Sequence, residues 1–231
     1  MKATENKKVI ILDAGALISL SMNGLLHELT KLKGILNGDF IITSQVKEEV
    51  IDNPLKIKAF ELEALKVQSL LDDKVLVMAD SYNINNASVK AKTEEMINIA
   101  NGIFAGSNNK VNIMHSGEAS CLALSSILSE KGIDNIIVID ERTTRMLVEK
   151  PDNLKELLER KLHTNITLVK KDFHYFKGFK IVRSAELMYV AWKKNLIELK
   201  KGDVLDALLY ALKFKGCSIS DDEISEIKKL K

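Results

Sequence analysis

Two cysteines in 231 residues, Cys121 and Cys217, cannot build a disulfide framework. Neither sits in a CxxC pair or near histidines at metal-ligand spacing, which argues against structural zinc. Long apolar runs are missing as well. Residues 9–12 are continuously apolar but end at Asp13, too short a stretch for a signal peptide or a membrane span. A soluble, cytoplasmic protein with no membrane partner is therefore expected. A charge excess is also absent: 34 lysines and arginines face 32 aspartates and glutamates, and the net +2 does not by itself announce a nucleic-acid partner. No repeat, linker or low-complexity segment divides the chain, and its length suffices to bury a real core.

What is present alternates between two periodicities. Residues 9–12 read as a strand buried on both faces, as do residues 136–139, and each ends at an acid, Asp13 and Asp140. Residues 40–42 and 74–78 read as further strands and 166–169 as the last one. Residues 16–36, 55–71, 87–103, 142–148, 184–194 and 203–215 carry apolar residues at helical spacing. Turns are expected at 83–86 and 106–109. Ser44 reads as the N-cap of a helix through Glu49, Pro151 opens another, and Ser220 with Glu223 forms a capping box. The pattern predicts an α/β fold: three α/β/α layers around a central parallel sheet, with a catalytic core over about 7–170, a helical insertion over about 54–110 and a helical C-terminal extension over about 171–231.

In open parallel sheets ligands bind beyond the carboxyl ends of the strands, where Asp13 and Asp140 are expected. Either acid alone can be a helix N-cap. Together they bring two carboxylates to one rim. Val46, Glu49 and Val50 share a helix face, so Glu49 is expected to point inward and Glu48 toward water. Glu118 lies in the first turn of a helix, where a carboxylate also gains from the helix dipole. Clustered carboxylates raise each other's pKa unless a cation compensates. Oxygen-only ligands suit Mg²⁺ or Mn²⁺, and two such ions about 3.5–4 Å apart can serve both ends of a phosphodiester displacement.

The segments VIILDAGALISL, ITSQVKEEVID, HSGEASCLALS and IVIDERTTRMLVE, in that order, resemble the four conserved blocks of PIN-domain proteins, in particular prokaryotic relatives of toxin–antitoxin ribonucleases. With a C-terminal pattern ending near KFKGCSISDDEI, the likeness spans nearly the whole chain. It implies a PIN-like fold and an Mg²⁺- or Mn²⁺-dependent endoribonuclease that leaves a 5′-phosphate. It implies Asp13, Glu49, Glu118 and Asp140 as catalytic, metal-binding acids, with Glu141 as a further ligand. On that reading Asp13→Asn or Asp140→Asn abolishes cleavage and spares the fold. The chain departs from the pattern at Glu141, where an aspartate is usual, and at Ala14, Gly15 and Ala16, where a small hydroxyl residue is common.

Around these acids, Arg142, Arg145, Ser44, Lys170 and Lys171 are candidates for contacting RNA. Arg142 and Arg145 sit i, i+3, where one can hold a phosphate and the other pair with Glu141 or Glu149. Thr43 and Ser44 can hold a water or cap a helix, and His115 is read as structural. Residues 150–183 carry nine basic residues against four acidic ones, and KKDFHYFKGFKIVR interleaves rings with lysines. That mixture can stack single-stranded bases, although core docking of most rings is the preferred reading. Asp203 and Asp206 read as helix-start residues. A haloacid-dehalogenase-type phosphatase needs an aspartate where Gly15 stands, and a receiver-type signalling domain needs a lysine that has no counterpart here. Two other readings remain. One is a PIN-like RNA- or partner-binding protein with little catalysis; the other is a toxin held by an antitoxin. A homodimer is the further implied partner.

Overall fold

The computed structural model describes residues 8–106 and 111–230. In chain order these form β1 (Lys8–Leu12), α1 (Ala14–Met22), α2 (Leu26–Leu36), β2 (Gly38–Ile42), α3 (Ser44–Lys47), α4 (Glu61–Asp72), β3 (Leu76–Met78), α5 (Asn86–Asn101), β4 (Phe104–Gly106), α6 (Ser116–Glu130), β5 (Asn135–Val138), α7 (Arg142–Glu149), α8 (Leu154–Leu162), β6 (Ile166–Leu168), β7 (Ile181–Val182), α9 (Ser184–Lys193), α10 (Val204–Phe214) and α11 (Asp221–Lys229), joined by short 3-10 and π turns. The basic N-terminal residues and the turn expected beyond Gly106 lie outside the described residues.

Successive strand side chains point to opposite faces, yet Val9, Ile10, Ile11 and Leu12 are all buried. Both faces of the sheet are therefore covered, as three α/β/α layers require. The sheet has five strands in the order β3-β2-β1-β5-β7, all parallel, with Ile10 in register with Phe40 on one side and Ile136 on the other. The chain winds outward through β2 and β3 and then returns to β1's other side through β5 and β7. The strand order reverses between β1 and β5, and in open parallel sheets ligands bind at such a reversal, beyond the strands' carboxyl ends.

Several expected elements differ. The helix expected over 16–36 is two helices, broken at Gly24, whose φ of 69° suits a residue without a Cβ. The stretch 55–71 starts with a separate 3-10 turn, Pro54–Lys56, before α4. β6 lies outside the central sheet and pairs antiparallel with β4. The region 171–231 is not helical throughout: β7 pairs with β5 and completes the sheet. Likewise 54–110 holds β3, an edge strand of that sheet. The caps of the last two helices match the sequence signature. Asp203 accepts from the Asp206 amide at 3.2 Å, and Ser220 and Glu223 exchange bonds of 3.2 and 2.8 Å. Phe176 is fully buried, and Phe173 and Phe179 pack on the core, so the ring-rich segment mainly docks the chain. Among the described residues no helix is long and apolar enough to cross a membrane.

Candidate active site

Asp13 follows β1 directly and is 3 % exposed. It caps α1, its Oδ2 accepting from the Gly15 amide at 3.2 Å. Burial, then the charge of Glu118, pushes its pKa up to about 8; the amides of Gly15 and Ala14 pull the other way, and Glu49 adds a smaller upward push. A strand end has thus delivered a carboxylate to a place where ionisation is expensive.

Glu49 comes from the segment after β2. Thr43, rather than Ser44, caps α3: its Oγ1 accepts from the Val46 amide at 3.2 Å and meets Ser120 Oγ at 2.6 Å. That pair ties the end of β2 to α6, and Ser44 is left half-buried beside it. α3 then widens into a π turn, Glu48–Asp52, closed by the bond from Asn53 N–H to the Glu48 carbonyl at 3.0 Å. Such turns insert a residue into the helical phase. The expected inward face therefore does not hold at Glu49: Val50 and Ile51 are buried, while Glu48 and Glu49 are both exposed.

The Glu49 carboxylate nevertheless reaches back to α6. A Cβ at Gly117 would stand 2.9 Å from Glu49 Oε1 and 3.1 Å from Oε2. The crowding around the carboxylate, then Glu118, raises its pKa, and Glu48 adds to this; His115 and a hydrogen bond from Ser116 lower it. Gly117 thus serves as a seat for Glu49. Gly117→Ala should displace the carboxylate. Because only a flexible tip has to move, fold stability should hold while Mn²⁺ affinity measured by calorimetry falls about 10- to 100-fold.

Glu118, half-buried in the first turn of α6, completes a trio with Asp13 and Glu49. Beneath them the buried Cys121 thiol lies 3.8 Å from the Leu12 carbonyl. Burial, with Asp13 and Glu118, holds its pKa well above the ordinary thiol range. It stays a packed thiol, not a nucleophile. No lysine or arginine among the described residues forms an ion pair with Asp13, Glu49 or Glu118. Among the described residues the trio therefore has no lysine or arginine to compensate it.

The remaining candidates are held elsewhere. Asp140 turns toward α9, its Oδ1 accepting from the Ser184 amide at 2.8 Å and its Oδ2 from the Ser184 hydroxyl at 2.6 Å. Burial raises its pKa, the two Ser184 bonds and Cys217 oppose this, and Glu186 adds to the rise. Glu141 caps α7, accepting from the Thr144 amide at 2.7 Å, and pairs with Lys161 at 3.4 Å. Burial would raise its pKa, but the Thr144 and Thr143 amides, the Thr143 hydroxyl and Lys161 outweigh it and hold the carboxyl below the usual range. Arg145 is spent on the Ser218 carbonyl and Glu149, at 3.1 and 3.4 Å. Arg142, Lys170 and Lys171 are exposed, and His115 is exposed at the start of α6.

The site thus comprises three of the four acids expected, on β1, the π turn and α6. No family model, curated protein or solved structure matches this chain. Its chemistry has to be read from its own residues. Among the described residues no three His, Cys, Asp or Glu side chains stand close enough to hold a metal ion as placed. The carboxylates share a neighbourhood without converging on one point. The donor chemistry still suits a hard divalent cation: all-oxygen ligands, mutual repulsion and, among the described residues, no lysine or arginine partner.

Proposed function

We propose that this protein is a PIN-like, divalent-metal-dependent endoribonuclease, with Asp13, Glu49 and Glu118 holding Mg²⁺ or Mn²⁺. The observation that carries this reading is the trio at the sheet's switch point, with no lysine or arginine partner among the described residues. The parallel order β3-β2-β1-β5-β7 and the ordered acidic segments support it. A hard divalent ion bound there supplies positive charge against the phosphodiester's developing negative charge and makes water more acidic.

The chain's own residues divide the remaining work. Asp13, fixed by the Gly15 amide, anchors the site to the central strand of the sheet. Gly117 leaves room for the Glu49 carboxylate. The bond between Thr43 and Ser120 holds the two segments that carry Glu49 and Glu118 at a constant separation. Arg142, exposed at the start of α7, and Lys170 and Lys171 are the cations available to the RNA backbone.

Metal binding has to displace the Asp13 proton, whose pKa is about 8. The stabilisation conferred by Mg²⁺ or Mn²⁺ should therefore grow from pH 6 to pH 8.5. Thermal melts with and without the ion test this, and a stabilisation that is flat with pH would remove Asp13 from the ligand set. Cleavage of labelled single-stranded RNA with Mn²⁺, lost on chelation, tests the activity itself. A second reading, an RNA-binding protein of this fold that does not cleave, is favoured by Asp140, whose two oxygens are already taken by Ser184. Binding of RNA without cleavage in either metal would establish it.

A further inference from the structure

The nine basic residues between 150 and 183 are not alike once the chain is folded. Lys155, Arg160, Lys161, Lys180 and Arg183 each pair with a carboxylate. Lys150, Lys170, Lys171 and Lys177 have no ion pair among the described residues, and the last three gather around the 3-10 turn Asp172–Phe176. Lys171 precedes that turn and Lys177 follows it, its amide donating to the His174 carbonyl at 3.3 Å. A 3-10 turn repeats every three residues. Phe173 and Phe176 thus turn inward together, Phe176 fully buried and Phe173 against Phe104 with ring centroids 6.0 Å apart. His174 and Tyr175 are left outside, their ring centroids 4.2 Å apart, and Tyr175 is 49 % exposed. The turn is also tethered to the acidic site. The Val169 and Lys170 amides both donate to the Ile103 carbonyl, at 2.8 and 3.2 Å. Two residues earlier, Asn101 Oδ1 accepts from the Ile113 and Met114 amides at 2.7 and 3.3 Å, in the segment that enters α6 and its Glu118.

We propose that residues 170–177 form a platform for single-stranded RNA, with Tyr175 and His174 stacking its bases and Lys170, Lys171 and Lys177 meeting its phosphates. The inference deepens the nuclease reading and rests on it for RNA as the ligand. Surfaces that hold single strands without sequence preference join cations that follow the backbone to exposed rings on which successive bases lie. The three lysines supply the first, because no neighbouring acid already offsets their charge. The ring pair supplies the second. Asp172 is the one acid in this stretch of eight residues, and it is partly buried. An acidic peptide would satisfy the lysines but offers no flat faces to the rings. The platform stands apart from the carboxylate trio, so its part is to capture the strand and not to break the bond.

The test uses the full chain in EDTA, so that no metal-dependent step intervenes, and a fluorescein-labelled single-stranded RNA dodecamer of random sequence, followed by anisotropy at low salt. Saturable binding is expected. Tyr175→Ala should weaken it about tenfold, whereas Tyr175→Phe, which keeps the ring, should bind as the wild type does. Lys170→Gln combined with Lys171→Gln should lower the slope of log affinity against log salt by about 1.4, since each phosphate contact to a single strand contributes about 0.7. All three side chains are exposed, so the variants should fold. Absence of saturable binding, or binding undiminished in Tyr175→Ala, overturns the platform. So does polyglutamate that displaces the labelled strand as effectively as unlabelled RNA, since the surface would then fit an acidic protein segment. Binding that depends on Tyr175, without cleavage in Mn²⁺, would support the platform and remove the nuclease. Cleavage in Mn²⁺ by a protein whose metal-free binding of RNA ignores Tyr175 would do the reverse.

Discussion

Asp13→Asn is expected to stabilise the metal-free protein and, on the proposed nuclease reading, to cut cleavage steeply. Asparagine keeps the cap on α1, because its side-chain oxygen can still accept from the Gly15 amide. It removes a carboxyl whose pKa is about 8 when folded, against 3.8 ordinarily. Between those values the folded state holds a proton that the unfolded chain has released, so metal-free stability is fully present below about pH 4. It falls as pH rises and is lost through pH 8. Every tenfold difference in proton affinity between the folded and unfolded chain corresponds to about 1.4 kcal/mol. The variant should therefore gain on the order of 2–4 kcal/mol at neutral pH and lose most of the pH slope, as read by urea unfolding at several pH values. On the proposed nuclease reading, Mn²⁺-dependent cleavage should drop about 10³-fold, since the proposed hard-ion site would lose one of its three charged ligands. Equal stability at every pH would contradict the buried, repelled carboxylate. Retained cleavage would contradict its role.

Asp140→Ala should do the opposite. Ser184 is the first residue of α9, and its amide is one of the donors that a helix start leaves without an internal partner. Asp140 supplies that partner from the end of β5, 44 residues earlier, and accepts from the same residue's hydroxyl. Truncation would strand two donors in a site where Ser184 has no exposed surface. The expected cost is about 3 kcal/mol, visible as a lowered urea midpoint. Asp140→Asn should be much milder, because its amide can donate to the Ser184 hydroxyl while its oxygen accepts from the Ser184 amide. If Asp140 acts only by position, that variant keeps its Mn²⁺ affinity. Lost affinity with an intact fold would return Asp140 to the ligand set.

These two aspartates look alike in sequence: each follows a β-branched apolar strand and precedes a helix. Local pattern reveals the strand ends, because four consecutive apolar residues leave a plain signal. It does not reveal what lies across from each carboxylate. Ser184 is distant in sequence and reaches Asp140 only because β7 pairs with β5. β7 itself has two residues, too few for any periodicity to register. Glu49 was legible as a site candidate but its exposure was not, because the phase argument assumes regular α geometry and the π turn displaces it. Glu141 carries an acid's charge in the right place, yet the helix start claims it as a cap.

The sheet's two boundaries are also its weakest templates. β3 has three residues and β7 two, while the longer β1, β2 and β5 are enclosed between neighbours. An edge this short offers too little open backbone for another chain to extend the sheet. Self-association of this protein is thereby steered to side-chain surfaces, where a single substitution can tune it, and away from strand addition, which composition alone controls poorly.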